Sequence, residues 1–209
     1  TVAGPRRQNT PVTLRTFVAL PLPPEVHRAL KVLQDRLKRH TVLRTAPVGA
    51  VRWVDPESIH LTLAFLGDIL PERVEPVKMA LTVVARNVQS FEFQIGTLGA
   101  FPNLNRPQVI WVGVQDPTSW LTLLHAAVNE ALASLGFQPE QRRFLPHLTL
   151  GRVQRNTNHA ELHAVGEAIA GVSVGALGSA AATELIFFRS VLKPTGPEYT
   201  PLGTFKLGA

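Results

Sequence analysis

The first predicted elements are a buried strand and an amphipathic helix. Residues 16–20 form a short apolar run, and prolines follow it at positions 21, 23 and 24, a pattern typical of a strand that leads into a helix. Between residues 26 and 39, apolar side chains recur every three or four positions with basic residues among them. This spacing predicts a helix that buries one face.

The rest of the chain continues this mixture of strand and helix patterns. The glycine-, alanine- and serine-rich stretch 171–182 fits either a mobile loop or a strand packed closely against a neighbour. Because strand, helix and strand follow one another in both parts of the chain, we predict two related α+β lobes. Further strands are predicted over 59–66, 91–95, 109–114, 148–153, 183–192 and 204–207, and further helices over 71–88, 118–135 and 160–170.

Residues 14–209 are predicted to form one bilobal domain, because no Ser/Gly-rich linker divides them. Residues 1–13 are predicted to be a flexible N-terminal extension, since they contain no apolar stretch of the kind that a secretory signal needs. No run of about 18 apolar residues is present, as a membrane-spanning helix would need. A cytoplasmic monomer without a membrane partner is therefore the default expectation.

The composition excludes several kinds of site and indicates the charge of a partner. The chain has no cysteine, which excludes disulfides, a cysteine nucleophile and thiolate zinc sites. The formal net charge is +6, from 21 Lys and Arg against 15 Asp and Glu. A surplus of this size favours a polyanionic partner, although an ordinary basic surface is an equally good interpretation of charge alone.

One tetrapeptide occurs twice. His60-Leu61-Thr62-Leu63 recurs unchanged as His-Leu-Thr-Leu from residue 147, whereas a chance second copy is expected on the order of 0.01 times. Each histidine opens a predicted strand. Since residues i and i+2 of a strand point to the same face, His60 shares a face with Thr62 and the leucines point into the core.

The repeat suits phosphoryl chemistry. His147 and Thr149 repeat the arrangement of the first copy, so two related lobes would bring two imidazoles and two hydroxyls to one cleft. Imidazole titrates near pH 6.5, so one ring can act as a base while the other acts as an acid. The hydroxyls can donate to phosphate oxygens. No metal or cofactor is needed, and the alternative is that these are ordinary strand residues.

The chain resembles the two-histidine phosphoesterase superfamily, and within it the bacterial and archaeal RNA 2′,3′-cyclic phosphodiesterases, also called 2′-5′ RNA ligases. The resemblance implies a bilobal α+β fold of mostly antiparallel sheets with outer helices and a central cleft. It also implies that His60 is the general acid and His147 the general base, giving a 2′-phosphomonoester. Gly151 departs from the alanine usual in the family. The matching segments are RTFVAL at 15–20, Trp53, HLTLAFLG at 60–67, FP at 101–102, RP at 106–107, VIW at 109–111, FLPHLTLGR at 144–152 and GPEY at 196–199.

Several residues near the two motifs are candidates to bind the substrate. Arg152 follows His147 by five positions, an odd spacing that directs it to the opposite face unless the strand bends near Gly151. Arg142, Arg143 and Arg106 are candidates to grip the RNA backbone. Phe65 and Phe144 are candidates to stack on a base, although core packing is the favoured role for them and for Trp53.

Two other functions and one other candidate site stay open. The same site could join RNA ends through a 2′-5′ linkage, which is the reverse reaction with a hydroxyl in place of water. A non-catalytic RNA-binding module would keep the basic cleft without needing both histidines. Finally, His159 and His163 have the i, i+4 spacing of a zinc pair, but a solvated helix face is favoured because no third ligand is evident.

Overall fold

The computed structural model describes residues 12–40, 49–194 and 196–208. Within these ranges the chain forms nine strands and four α-helices. The strands are β1 Leu14–Leu20, β2 Val51–Trp53, β3 Leu61–Ile69, β4 Phe91–Phe101, β5 Val109–Gln115, β6 His147–Val153, β7 Gly178–Ala182, β8 Glu184–Lys193 and β9 Gly196–Lys206. The helices are α1 Pro24–Arg39, α2 Val74–Asn87, α3 Trp120–Ser134 and α4 His159–Gly171.

The strands form two antiparallel sheets. One has four strands in the order β3-β1-β8-β9, and the other has five in the order β2-β6-β5-β4-β7. Each sheet contains one copy of the repeated motif, on β3 and on β6. The predicted α+β class with two antiparallel lobes is confirmed.

The lobes are not successive halves of the chain. The four-stranded sheet combines β1 and β3 from the beginning with β8 and β9 from the end, while β2 leaves the first part to join the five-stranded sheet. Buried residues of both sheets and of all four helices belong to one hydrophobic cluster. This interleaving fixes the two motif strands relative to each other through a shared core.

Local sequence signals define several boundaries. Pro24 begins α1 at its first helical position, where a missing N–H is not a loss. Asn158 caps α4, and a capping box with Glu161 satisfies N–H groups in both directions. Gly136 follows α3 with φ of +87°, the left-handed conformation that favours glycine beyond a helix end.

Several predicted boundaries need correction. The strand predicted over 91–95 continues to Phe101, and the one predicted over 204–207 begins at Gly196, because cross-strand pairing extends past the part with clear alternation. The first motif strand begins at Leu61, so the residue before it lies just outside. The stretch 171–182 ends in the strand β7, which pairs with β4. Nothing in the pattern indicated β2, which has three residues.

Most of the predicted N-terminal extension lies outside the described residues; only its last two positions, 12 and 13, fall within them. Among the helices of the described ranges, none is both long enough and apolar enough to cross a membrane.

Candidate active site

Both motif histidines have the same local hydrogen bond. The Nδ1 atom of His60 lies 2.8 Å from the carbonyl oxygen of Ser58, and Nδ1 of His147 lies 2.7 Å from that of Leu145. A carbonyl only accepts, so Nδ1 carries the hydrogen in both rings. Each neutral imidazole therefore presents Nε2 with a free lone pair.

The turn before β3 holds the first ring in place. Residues Pro56–Ser58 form a single 3₁₀ turn, and the Asp55 side chain accepts a hydrogen bond from the backbone N–H of Glu57 at its start. This turn presents the Ser58 carbonyl to the imidazole of His60 two residues later. The turn-forming residues seen in the sequence therefore form the turn that orients the imidazole of His60.

The motif side chains alternate as their spacing predicts. On β3, Leu61 and Leu63 are buried while Thr62 is half-buried. On β6, Leu148 and Leu150 are fully buried while His147 and Thr149 are half-buried. Each copy thus keeps its leucines in the core and leaves its histidine and threonine partly open to solvent.

Aromatic rings surround His60. Its ring stacks on Phe17 with centroids 4.7 Å apart and planes 22° apart, and Tyr199 meets it edge-on at 5.1 Å. Phe188 lies further away, at 6.1 Å. This packing restricts the imidazole to one orientation. Burial lowers the pKa of His60 below the usual value of a histidine, and this effect is larger than the rise caused by the hydrogen bond to Ser58.

A cavity adjoins His147. Phe101 contacts the imidazole edge-on at 4.9 Å, and it lines, with the histidine, a cavity of about 230 Å³. Trp111 and Thr97 are also in the wall of this cavity. It is larger than a single water, which takes about 30 Å³, so it can hold more than one small group next to the imidazole.

A β-bulge turns Arg152 toward the histidine. On β5, Gly113 pairs with His147, Trp111 with Thr149, and Val109 with Arg152, with the register shift falling between the last two pairs. The three β5 residues alternate without interruption, so their three partners share one face of the sheet. Because of its odd spacing from His147, Arg152 could share the histidine's face only if the strand were irregular near Gly151, and the register shift lies next to that residue.

The charge of Arg152 acts on both halves of the site. Burial lowers the pKa of His147 the most, and the charge of Arg152 lowers it further. The hydrogen bond to Leu145 has the opposite effect and raises it. Burial raises the pKa of the Tyr199 hydroxyl, and the charge of Arg152 partly offsets this rise. Tyr199 touches the ring of His60, and strands β3 and β6 are in contact although they belong to different sheets. One guanidinium therefore lies near the second motif histidine and near the tyrosine that touches the first.

The other predicted arginines lie on exposed loops. Arg142 and Arg143 are exposed just before β6, and Arg106 is exposed between β4 and β5. The backbone N–H of Arg106 donates to the side chain of Asn103, which shapes this loop. No charge effect on either histidine comes from these three side chains among the described residues, so their contact with a substrate stays a prediction.

The flanking aromatic residues differ in exposure. The Phe65 side chain is 71% exposed and lies 6.0 Å from Phe17, which disfavours the expected core packing because few of its atoms leave water. Phe144 stacks on His125 at 3.7 Å, so one face of its ring is already covered. Trp53 packs against the hydrophobic cluster, with the ammonium of Lys38 5.5 Å from its ring centroid.

Two residues near the site were not identified from the sequence. Tyr199, the only tyrosine of the chain, reaches His60 from the far end of the sequence. Arg52 pairs directly with Arg152 across β2 and β6, so both side chains leave the same face of the sheet. A rare residue in a Gly-Pro-Glu-Tyr segment was the available signal for the tyrosine, whereas a three-residue strand offered none for Arg52.

The histidine pair on α4 is exposed. Nδ1 of His163 lies 3.6 Å from a carboxylate oxygen of Glu167, and His159 is the first residue of the helix. Among the residues that the structure describes, no group of three or more metal-ligating side chains is arranged to hold a metal ion.

Comparison with known proteins identifies related sequences and a shared family. A family model described as LigT-like phosphoesterase matches the chain twice, over residues 20–111 and 112–199. Each match contains one copy of the histidine motif. The chain is 31% identical over 194 residues to an RNA 2′,3′-cyclic phosphodiesterase of Methanothermobacter thermautotrophicus, covering 93% of this chain and 99% of that protein.

Solved structures share the fold. A crystal structure of a Thermus thermophilus protein superposes with a TM-score of 0.71 at 28% identity, covering 94% of this chain and 99% of that one. E. coli LigT complexed with 3′-AMP superposes with a TM-score of 0.70 at 25% identity, covering 95% of this chain and all of that one.

Proposed function

Because the chain belongs to the LigT-like phosphoesterase family, we propose that it hydrolyses RNA 2′,3′-cyclic phosphate ends to 2′-phosphomonoesters. The observation that carries the proposal is the repeated histidine geometry, in which each Nδ1 donates to a carbonyl two residues upstream and Nε2 stays free. Similar proteins from several organisms are named RNA 2′,3′-cyclic phosphodiesterase, and this supports the choice of substrate.

His147 acts as the general base. Its neutral Nε2 takes a proton from a water as the water oxygen attacks phosphorus. Burial and the charge of Arg152 lower the pKa of this imidazole, so the ring is neutral at the pH at which a base is needed. The cavity beside it provides space for the attacking water.

His60 acts as the general acid. As the bond between phosphorus and the 3′ oxygen breaks, the Nε2 proton passes to that oxygen, which leaves a free 3′-hydroxyl and a 2′-phosphomonoester. Burial lowers the pKa of this imidazole in the free protein, but an anionic phosphate in the cleft raises it and favours the protonated ring. The stack on Phe17 keeps the ring aligned.

Protein groups alone supply the donors for the phosphate oxygens. The hydroxyls of Thr62 and Thr149 donate to the non-bridging oxygens, and Arg152 adds a charge-assisted donor between the two motif copies. We therefore propose that the reaction needs neither a metal ion nor a cofactor. Phe65, with its ring in solvent beside Phe17, stacks on the base of the terminal nucleotide.

The test is product analysis on a short RNA that ends in a 2′,3′-cyclic phosphate. We expect a 2′-monoester as the product, with activity retained in EDTA. His60→Ala and His147→Ala should each reduce the rate by roughly 10²–10⁴-fold, while Ala substitution of the exposed His159 on α4 serves as the control. A 3′-monoester product, or full activity in either motif variant, would contradict the proposal.

End joining is a second candidate function. The cavity beside His147 is large enough for more than a water, so a ribose hydroxyl of a second RNA could take the place of water in the reverse reaction. The assay offers the cyclic-phosphate RNA with and without a 5′-hydroxyl acceptor. Hydrolysis as the main activity predicts the same monoester in both reactions, whereas ligated product dominating at modest RNA concentration would favour joining.

A further inference from the structure

A hollow of about 330 Å³ lies on the four-stranded sheet, and we propose that it binds the phosphodiester that links the terminal nucleotide to the one before it. This inference rests on the proposed function, because it concerns the RNA that leads away from the reacting end. Six of the residues that line the hollow are Thr13, Arg15, Asp68, Arg189, Ser190 and Leu192.

The hollow lies in line with the catalytic side chains. On β1, Arg15, Phe17 and Ala19 alternate, so they share one face. Their partners on β3 are Asp68, Phe65 and Thr62, respectively. A register shift after Thr62 and another after Phe65 place these three side chains on the same face as their β1 partners. The order along the sheet is therefore a catalytic hydroxyl, then the two phenyl rings, then the hollow.

The spacing along this face suits one nucleotide. The cyclic phosphate lies at Thr62 and its histidine, and the exposed ring of Phe65 takes the terminal base. The upstream phosphodiester is attached through C5′ of the same ribose, separately from the base, so it must lie within one nucleotide of the reacting phosphorus. The imidazole of His60 stacks on Phe17, and Arg15 is two residues from Phe17, about 7 Å along the strand, so the long side chain of Arg15 can reach a phosphate one nucleotide away.

Tyr199 joins the hollow to the active site. Ser190, which lines the hollow, pairs with Arg15 on one side and with Tyr199 on the other. The charge of Arg15 also opposes the rise in the pKa of the Tyr199 hydroxyl, whose ring touches His60. The side chain of Tyr199 thus lies between the hollow and His60, and no helix or strand separates them.

The lining has the charge and donors that a phosphodiester needs. The lining includes two arginines, Arg15 and Arg189, and one carboxylate, Asp68. Arg15 and Asp68 pair across β1 and β3 and share a face, whereas Arg189 pairs with Thr16 and comes from the opposite face. Across the described ranges, neither arginine forms an ion pair, and the remaining positions of the chain contain no Asp or Glu. Thr13 and Ser190 add hydroxyl donors, so a singly charged phosphodiester meets one excess positive charge.

A cyclic mononucleotide cannot use this hollow, because it has no upstream phosphate. A dinucleotide with the same cyclic end can. The hollow therefore predicts that the chain prefers RNA ends over cyclic mononucleotides. The informative quantity is the kcat/KM for the dinucleotide divided by that for the mononucleotide, measured for each variant.

Substitutions of the lining should change this ratio in both directions. Arg15→Gln should lower it by roughly tenfold or more, since it removes a charged donor from the phosphodiester. Arg189→Gln should lower it less, because this side chain comes from the opposite face of the sheet. Asp68→Asn should raise it, because it removes the only negative charge of the lining. Arg86→Gln, an exposed substitution on α2, should leave the ratio unchanged.

The outcomes separate this inference from the proposed function. If the wild-type chain hydrolyses neither substrate, the proposed function fails and the inference fails with it. If it hydrolyses both, but Arg15→Gln and Arg189→Gln leave the ratio unchanged in well-folded protein, the hollow does not bind the upstream phosphate. A fall in the ratio with Arg52→Gln instead would show that the RNA leaves along the five-stranded sheet, which also overturns the inference.

Discussion

Arg152 is the side chain whose replacement tests the geometry of the cleft most informatively. Its charge acts on His147 and on Tyr199, and its position depends on the bulge in β6. Arg152→Gln removes the charge and the guanidinium fork while keeping a polar side chain of similar length. The variant should fold normally, because the residue is exposed.

The magnitude follows from the contacts that the guanidinium would make. Hydrogen bonds to a charged group contribute about 1.5–3 kcal/mol each, so the loss of one from the phosphate predicts a fall in kcat/KM of roughly 10- to 150-fold. Arg152→Lys keeps the charge but not the two-pronged geometry, so its activity should lie between the two. Arg155→Gln, an exposed substitution just after β6, is the control.

The same variant should change the pH dependence in a defined direction. A positive charge near an imidazole disfavours its protonated form, so its removal raises the pKa of His147. A base must be unprotonated, so the acid limb of the kcat/KM profile should move to higher pH in Arg152→Gln but not in Arg152→Lys. Steady-state kinetics between pH 4 and 8 on a cyclic-phosphate RNA, with NMR titration of the histidines, measures both effects. An unchanged kcat/KM together with an unchanged acid limb would refute the placement of Arg152 in the cleft.

Three further predictions concern the histidines, the exposed phenyl ring and a buried amide. Because burial lowers the pKa of both His60 and His147, the bell-shaped kcat/KM profile should peak below about pH 6.5; a maximum above pH 8 would contradict this. Phe65→Ala should weaken binding of a cyclic mononucleotide by about 1–3 kcal/mol with little change in melting temperature, and an unchanged KM would exclude base stacking. Gln34→Leu should lower the free energy of unfolding in urea by about 1–3 kcal/mol, since the buried amide donates to the carbonyls of Val54 and Leu150 at 2.8 and 2.9 Å; wild-type stability would show that these bonds contribute nothing.

The repeated motif was predictable because its information is local. The alternation of His60, Leu61 and Thr62 gives their faces without any knowledge of the sheets, and the turn before the first histidine was visible in Asp55 and Pro56. The fold class followed from the same kind of pattern, since strand and helix periodicities are properties of short windows.

The remaining features depend on pairing between distant segments. The face of Arg152 is set by a bulge that exists only in the register with β5, and Tyr199 reaches the site because β9 pairs with β8 at the end of the chain. The interleaved order of the two sheets could not be derived from repeated strand–helix–strand patterns, because those patterns do not specify partners. Exposure of Phe65 likewise follows from the register shift between Thr62 and Ala64 on β3, which puts this aromatic residue on the face of Thr62 and reverses the expectation that it packs in the core.

The central claim is that the two imidazoles act together on one phosphorus atom. The most direct measurement compares the rate of cyclic-phosphate hydrolysis in His60→Ala, in His147→Ala and in the double variant, each checked for normal folding. Groups that act as a unit are strongly non-additive, so we predict that the double variant is about as slow as the slower single variant. Losses that simply multiply would show that the two histidines act independently, and would contradict a shared site.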